Sequence, residues 1–300
     1  MEETIGKQIE QAELLPSLML VDGMALLFRA FYATAISGQF MINSKGMPTN
    51  AVQGFLKHLL TAINHFNPSH VAVCWDMGSK TFRSEIFTEY KANRPDAPVE
   101  LIPQFDAVKE AVRAFDIPNI GLKGYEADDC IGTIAKEAKA ASRVFVLTGD
   151  QDLLQLIEEN ISVVLLKKGF GNYDVHDGDT FFDWKGITPR QMIDLKALMG
   201  DPSDNYPGVK GIGEKTALKL LQAYENIEGI LGNLLLLTKG QREKIEAAVD
   251  MLHLSRKLAE IKCDVPVACP LDQAKWEYDH ASVNNMLDEY EIRGLHRFLA

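Results

Sequence analysis

The sequence lacks the features of a membrane or secreted protein. No apolar run approaches the roughly 20 residues that a membrane-spanning helix needs. The polar residues 1–17 do not have the basic and apolar layout of a signal peptide. The four cysteines show no C-x-x-C spacing, so we expect reduced thiols, a cytoplasmic location and no membrane partner.

The sequence also lacks an excess of positive charge. Its formal net charge is −11 over 300 residues, which argues against non-specific attraction to nucleic acid. This argument is limited, because a protein that is acidic overall can still carry a positive patch. The length is sufficient for one large domain or two modest ones.

Three short apolar runs lead to aspartates. The runs cover residues 18–21, 71–75 and 144–147, and the aspartates are Asp22, Asp76 and Asp150. Apolar runs that alternate with helical segments are typical of a mostly parallel sheet with helices on both faces. The crevice of such a sheet lies beyond the carboxyl ends of its strands, so we expect the three aspartates to meet there.

An acidic stretch at residues 124–129 (GYEADD) precedes an apolar, helix-compatible run. It places Glu126, Asp128 and Asp129 so close together that each carboxylate raises the pKa of its neighbours. A helix start relieves only about 0.3–1 kcal/mol per charge, so a divalent cation explains the cluster better. The alternative is an acidic first turn that faces solvent.

Three further carboxylates, Asp152, Asp201 and Asp204, complete a dispersed acidic set without histidine or cysteine partners. Oxygen ligands alone favour Mg²⁺, or Mn²⁺ in its place, over zinc. Two ions about 3.5–4 Å apart would use these ligands and would clamp an in-line phosphoryl displacement.

Two other segments carry basic residues in a distinctive context. Residues 90–95 (YKANRP) group an aromatic side chain with two cations, although a solvated helix face is the alternative. Residues 207–217 (PGVKGIGEKTA) form a glycine-rich turn between two helical patterns, and the N–H groups of the second helix would bind phosphate. A plain helix–helix turn is the alternative there. The later chain reads as helices at 230–237, 242–261 and 282–299, with an extended piece at 263–267.

Together these motifs resemble the 5′-nuclease family, which includes the 5′–3′ exonuclease domain of bacterial DNA polymerase I, phage 5′ exonucleases and flap endonucleases. The matching segments are LVDG at 20–23, WD at 75–76, GYEADD at 124–129, TGDQD at 148–152 and MGDPSDNYPGVKGIG at 199–213. The resemblance covers residues 18 to 295. It implies a PIN-like (Rossmann-like) α/β domain at 18–186 with a helical arch at about 77–120. A helical domain with a helix-hairpin-helix would follow at 187–300.

The resemblance also implies roles for individual residues. Carboxylates around a first metal would be Asp22, Asp76, Glu126, Asp128 and Asp129. Those around a second would be Asp150, Asp152, Asp201 and Asp204. Lys91 and Arg94 are expected against the scissile phosphate and, with Asp128 and Asp150, to carry catalysis. Expected DNA contacts are Arg83, Tyr90, Lys91, Arg94, Lys196, Gly208, Lys210, Gly211, Gly213, Lys215 and Thr216, and the glycine turn would hold a K⁺ ion.

The expected activity is a structure-specific 5′–3′ exonuclease and 5′-flap endonuclease that acts in DNA replication and repair. It would leave 5′-phosphate and 3′-hydroxyl ends, and its partners would be DNA 5′ ends, flaps or nicks, including RNA primers on DNA. We expect a bacterial monomer associated with the nucleoid. The alternatives are a catalytically silent protein that binds branched DNA, a PIN-type ribonuclease and, as a weaker third, a Mg²⁺-dependent small-molecule phosphatase.

Overall fold

The structure is a computed structural model, and it describes residues 15–35, 38 and 40–299. Most of the expected polar extension, residues 1–14, lies outside this range. The described residues contain a six-stranded sheet. Its strands are β1 (Ser17–Asp22), β2 (His70–Cys74), β3 (Asn119–Ile120), β4 (Arg143–Thr148), β5 (Ile161–Leu166) and β6 (Tyr173–His176).

The strand order in the sheet is β3-β2-β1-β4-β5-β6. All neighbouring pairs are parallel except β5 and β6, which form an antiparallel pair at one edge. The central strand β1 is buried along its whole length, as the continuous apolar run predicts for a strand covered on both faces. The prediction of a mostly parallel α/β sheet is therefore confirmed.

The helices of the first half alternate with the strands, and those of the second half follow the sheet. They are α1 (Gly23–Ala35), α2 (Asn50–Phe66), α3 (Phe82–Ile86), α4 (Ile102–Ala114), α5 (Ala127–Ala138), α6 (Gly178–Lys185), α7 (Gln191–Met199), α8 (Glu214–Tyr224), α9 (Ile227–Gly232), α10 (Lys239–Glu246), α11 (Val249–Ala259) and α12 (His280–Glu289). In the described part of the chain, none of them has the length and apolar content to cross a membrane.

Two apolar cores cover the two faces of the sheet. Side chains such as Leu18 and Leu20 of β1 pack with α5 in a core that continues into α7, α8 and α9. The alternate side chains Met19 and Val21 face the other core, which contains α1, α2 and α4. The sheet and the helical region are therefore joined by continuous packing.

The closing part of the chain packs beside the sheet and the helices of the first half. Residues such as Val283, Leu287 and Leu295 pack in the core beneath α1, α2 and α4. The backbone N–H of Trp276 donates to the Ser69 carbonyl beside β2 (2.9 Å). The last residues of the helical domain expected at 187–300 therefore contact the core on the other face of the sheet, and the division at 187 stays a prediction.

Several predicted helix bounds also change. The helix expected at 242–261 is two helices, α10 and α11, and the one expected at 282–299 ends at Glu289. Glu291 and Gly294 then have positive φ values of 55° and 79°, which a continuing helix does not allow. The extended piece expected at 263–267 is not a strand among the described residues. The strands predicted at 18–21, 71–75 and 144–147 are confirmed.

Candidate active site

The carboxyl ends of β1, β2 and β4 bring the three predicted aspartates to one edge of the sheet. Asp22, at the end of β1, accepts hydrogen bonds from the Ala25 N–H (3.0 Å) and the Thr148 hydroxyl (2.8 Å). Asp76 accepts from the Ala127 N–H (2.7 Å), at the start of α5. Each carboxylate is therefore oriented by the first turn of a helix, whose unpaired N–H groups need acceptors.

The pKa values show that the carboxylates at this edge act on one another. Burial, together with the negative charges of Asp150 and Asp76, raises the pKa of Asp22 to about 6 against the lowering effect of its hydrogen bonds. Burial also raises the pKa of Asp128 well above its ordinary value, and Asp22, Asp150 and Glu126 add to this effect. The expected convergence of these carboxylates is present in the structure.

Cations from the segment that follows β2 contact these acids. We call residues 82–94 the arch base. Lys91 Nζ lies 2.8 Å from Glu126 Oε1, and Arg94 Nη2 lies 2.6 Å from Asp204 Oδ1. The Tyr90 hydroxyl donates to Asp204 Oδ2 (2.8 Å) and to Glu126 Oε2 (3.2 Å). The arch base thus faces carboxylates from two separate parts of the chain.

A second group of acids surrounds Lys196. Its Nζ lies 2.5 Å from both Asp152 Oδ1 and Asp201 Oδ2. Burial raises the pKa of Asp152 to about 7, and Asp150 adds to this effect. Burial also acts to raise the pKa of Asp201, but its bonds to Lys196 and Ser203 outweigh burial and hold the pKa below its ordinary value.

Arg83 and Asp129 do not have the environment expected for a DNA contact and a metal ligand. Arg83 is 2% exposed and Asp129 is 0% exposed, and their side chains form a two-pronged ion pair. Asp129 also accepts from the backbone N–H groups of Glu126 and Lys262. A carboxylate has about four acceptor positions, so Asp129 is saturated by these four bonds. The pair is therefore internal in this structure.

Two further expected DNA contacts also lie inside the protein. The Tyr90 ring is only 6% exposed and stacks on Tyr206, so its face is not a platform for bases. Gly208 is buried with a φ of 57°, and a Cβ there would lie 2.2 Å from the Gly200 nitrogen. A close approach of two backbone segments explains this glycine. Lys196 is engaged by acids as described above.

The rest of the glycine turn, residues 208–213, is open to solvent at its tip. Gly211 has a φ of 80°, and its carbonyl accepts from Lys244 Nζ (3.1 Å). Gly213 caps the start of α8, where Lys215 is exposed and Thr216 is half-buried. Lys210 is also exposed. The turn between α7 and α8 has the geometry expected for an anion site at a helix start.

The donor chemistry of the acidic groups fits a hard divalent cation, since burial raises the pKa values of Asp22, Asp128 and Asp152 and carboxylate oxygens are the ligands that such an ion prefers. Among residues 15–35, 38 and 40–299, no three such side chains converge tightly enough to hold one ion as they stand. The side chains of Lys91, Arg94 and Lys196 form ion pairs with carboxylate oxygens of these groups instead. A metal would therefore require these side chains to change partners.

The sequence interpretation missed Thr148 and Gln155. Thr148 donates to Asp22 and accepts from the Asp150 N–H (2.9 Å), so it links two of the site's aspartates. Gln155 Nε2 donates to the Ala259 carbonyl (3.0 Å). The place of Thr148 at the end of a strand, two residues before Asp150, is a signal that could have identified it.

Known sequences match nearly the whole chain. Residues 17–182 match the family described as 5′-3′ exonuclease, N-terminal resolvase-like domain, and residues 187–282 match 5′-3′ exonuclease, C-terminal SAM fold. A protein named 5′-3′ exonuclease from Bacillus subtilis (strain 168) is 57% identical over 282 residues, which cover 94% of this chain and 95% of that protein. DNA polymerase I of Chloroflexus aurantiacus is 40% identical over 284 residues, which are 92% of this chain but 30% of the polymerase.

The fold is also that of a solved phage nuclease. A structure of bacteriophage T5 flap endonuclease, in a pseudo-enzyme–product complex with DNA and metal ions, has a TM-score of 0.67 and 23% identity. It covers 94% of this chain and 98% of the phage chain. A resolvase-like, PIN-type α/β domain with a helical SAM-like region is therefore the fold of this protein. The chain belongs to the 5′-3′ exonuclease family.

Proposed function

We propose that this protein is a divalent-metal-dependent 5′–3′ exonuclease and 5′-flap endonuclease that hydrolyses DNA phosphodiesters. The observation that carries the proposal is the meeting of Asp22, Asp76, Asp128 and Asp150 at the carboxyl edge of the sheet. Asp22, Asp76 and Asp128 have raised pKa values, which makes the cluster costly for folding, and such clusters mark functional sites. The products would be 5′-phosphate and 3′-hydroxyl ends.

Two Mg²⁺ ions, with Mn²⁺ as a substitute, are the proposed cofactors. The first would be held by Asp22, Asp76, Glu126 and Asp128, and the second by Asp150, Asp152, Asp201 and Asp204. When bound, such ions supply positive charge to the phosphate and to the attacking water. Asp129 is left out of this set because its oxygens are already saturated.

The arch base would place positive charge against the phosphate. Lys91 and Arg94 face the acidic groups from one side, and each donates to a carboxylate there. A phosphate that enters between them and the acids would replace Glu126 and Asp204 as their partner, since cations bind phosphate oxygens strongly. Charge that develops on those oxygens during cleavage would then be stabilised without further rearrangement.

The α7–α8 turn would bind the duplex away from the cleavage point. Lys210, Lys215, Gly213 and Thr216 lie at the exposed start of α8, where N–H groups and ammonium groups suit a phosphate backbone. A K⁺ ion held by backbone carbonyls of the turn is part of this proposal. The proposed division is a catalytic domain at 18–186 and a DNA-binding helical region that begins at 187 and whose tail returns to the sheet.

A cleavage assay on a labelled 5′-flap oligonucleotide tests the proposal. We expect cleavage with Mg²⁺, no cleavage with chelator, and a 5′-phosphate on the downstream product. The same assay on nicked duplex, on a blunt 5′ end and on an RNA flap determines the preferred substrate and separates the protein from a PIN-type ribonuclease. Binding of flap DNA without cleavage in Mg²⁺ would instead indicate a silent branched-DNA-binding protein. Sedimentation of the free protein tests the proposed monomer.

A further inference from the structure

The guanidinium of Arg83 joins three segments of the chain that are distant in sequence. Its Nη1 and Nη2 donate to Asp129 Oδ2 (2.8 Å) and Oδ1 (2.9 Å). Its Nε donates to the Leu258 carbonyl (2.9 Å), and Nη2 donates also to the Glu260 carbonyl (2.8 Å). Nη1 lies 3.4 Å from Glu126 Oε2. The planar fork of an arginine matches these acceptors, and a lysine ammonium does not.

The acceptors of Arg83 belong to elements of different function. Asp129 and Glu126 stand at the start of α5, beside the acidic groups. Leu258 and Glu260 stand at the end of α11, a helix that packs against α7 next to the glycine turn. Arg83 itself lies in α3, eight residues before Lys91. The arch base, the acids and the helical region thus meet at one buried side chain.

The end of α11 is held from the active site by two other groups as well. We call residues 258–262 the brace. Asp129 Oδ1 accepts from the Lys262 N–H (2.9 Å). Gln155, which follows the Asp150 turn, donates to the Ala259 carbonyl (3.0 Å) and accepts from the Ile261 N–H (2.9 Å). Three active-site elements therefore hold the brace: α3, the start of α5 and the segment after β4.

We propose that Arg83 and Asp129 are positioning residues that hold the arch base and Glu126 in register with the brace, and that neither of them touches DNA or metal. This inference rests on the proposed function. The Glu126 carboxylate contacts Arg83, Tyr90 and Lys91, so its place depends on the ion pair beneath it. Loss of the pair shifts both Glu126 and Lys91 relative to the other carboxylates. The expected loss is therefore in the cleavage step and not in DNA affinity.

Variants that remove the pair as a unit separate this role from simple folding. Arg83→Met alone leaves Asp129 buried without a counter-ion, which can prevent folding. The double variant Arg83→Met/Asp129→Met removes both charges at similar volume, so its thermal midpoint is expected to lie closer to that of the wild type than the midpoint of Arg83→Met does. Arg83→Lys keeps a counter-ion for Asp129 but loses the fork, so it tests the same role if the double variant does not fold. Arg113→Met, at an exposed arginine of α4, is the matched control.

The readouts are the dissociation constant for 5′-flap DNA in chelator and the single-turnover cleavage rate at saturating DNA with Mg²⁺. We expect the double variant and Arg83→Lys to bind within about threefold of the wild type and to cleave roughly 10²-fold more slowly, which is the scale of a small misplacement of catalytic groups. Arg113→Met should match the wild type in both measurements.

Two results would overturn the inference. Cleavage by the double variant or by Arg83→Lys at close to the wild-type rate would make the pair purely structural. DNA binding weakened more than about tenfold, with an unchanged rate at saturating DNA, would make Arg83 a DNA contact. The wild-type measurement distinguishes the positioning role from the proposed nuclease function. Failure of the wild type to cut flap DNA would count against the nuclease function and not against the role of the pair.

Discussion

Lys91 Nζ lies 2.8 Å from Glu126 Oε1 and 3.8 Å from Asp204 Oδ2, so one ammonium bridges carboxylates from the two acidic groups. Burial acts to lower the pKa of Lys91, but the negative charges of Glu126 and Asp204 outweigh burial and hold it above its ordinary value. Lys91 therefore stays charged at neutral pH, ready to contact a phosphate.

Removal of this ammonium should slow cleavage with little change in DNA affinity. For Lys91→Ala we expect a single-turnover rate lower by about 10²–10³, the scale found when one charge-stabilising group is removed from an active site. Lys80→Ala, at an exposed lysine of the same segment, is the control and should cleave normally. A Lys91→Ala enzyme that cleaves at the wild-type rate would contradict the placement of the arch base against the phosphate.

Asp128 offers a test of the proposed metals that does not depend on activity. Its carboxylate is disfavoured by burial and by the neighbouring acids, so Asp128→Asn should be at least as stable as the wild type in chelator. Mg²⁺ should raise the melting temperature of the wild type and have a much smaller effect on the variant, because a ligand stabilises only the state that binds it. Cleavage by Asp128→Asn and by Asp150→Ala should be abolished while flap DNA still binds. An equal Mg²⁺ shift in wild type and Asp128→Asn would argue against a metal at this residue.

Lys196 should contribute to stability most strongly when no divalent ion is present. Its loss leaves Asp152 and Asp201 without their shared counter-ion. We expect Lys196→Met to lower the free energy of unfolding in chelator by about 1.5–3 kcal/mol, as for hydrogen bonds to charged groups. Added Mg²⁺ should recover part of the loss. Urea titrations with and without Mg²⁺ measure the free energy of unfolding. Lys219→Met, at an exposed position, is the control. A loss of stability that is identical in both conditions would argue against a metal in the second group.

His58 predicts a pH dependence of stability away from the active site. The ring is 3% exposed and lies against Phe170, with centroids 4.2 Å apart. Burial lowers its pKa to about 4, and the charges of Arg29 and Lys57 add to this effect. The folded pKa is below the unfolded value of about 6.5. The neutral ring therefore stabilises the protein fully above that pH, and the contribution is lost as the pH falls toward 4.

The comparison of His58→Gln with the wild type isolates this contribution. Asp22 and Asp152 have raised pKa values and act in the opposite direction over the same pH range, so only the difference between the two proteins is informative. We expect the wild type to lose more of its urea midpoint than His58→Gln between pH 7 and about pH 5, measured in chelator. His253→Gln, at an exposed histidine, should follow the wild type. Parallel curves for wild type and His58→Gln would contradict the assignment of a buried neutral ring.

Two glycines of the same turn should respond differently to alanine. Gly208→Ala forces a Cβ into the backbone at Gly200 and a side chain into a φ of 57°, so we expect a loss of roughly 2–4 kcal/mol in the free energy of unfolding. Gly213 has a φ of −98° and open space around its Cβ position, so Gly213→Ala should fold normally. Thermal melts of the two variants check this contrast. Equal stabilities would show that the close approach of Gly208 and Gly200 does not affect the free energy of unfolding.

The sequence could predict the parts of the site that depend on local pattern. Strands made of buried apolar residues lead to Asp22, Asp76 and Asp150, and parallel strands bring such ends together. The role of Arg83 could not be predicted, because its acceptor at Leu258 lies 175 residues away and is a backbone carbonyl. Carbonyl acceptors leave no signature in side-chain identity. The turn between α7 and α8, by contrast, is indicated directly by its glycine spacing.

Helix ends were predicted less well for a related reason. The break between α10 and α11 falls at Ala247 and Ala248, two residues with high helix propensity, so only packing can decide it. The position of the chain end depends on individual contacts between distant residues. For example, the Tyr290 hydroxyl donates a hydrogen bond to the Glu110 carboxylate on α4. An apolar helix pattern states that a face is buried, but it does not identify the surface that buries it.

The path of the chain end affects how the proposed DNA-binding region is attached to the sheet. The helices from α7 to α11 follow α6 in the chain, and after them the chain contacts the sheet again at Trp276. This region is therefore connected to the rest of the protein at both of its ends. Two connections, together with the apolar core that α7, α8 and α9 share with the sheet, restrict the movement of this region relative to the sheet. Duplex DNA bound by the glycine turn would therefore lie at a set distance from the carboxylates. That distance would determine the position at which the strand is cleaved.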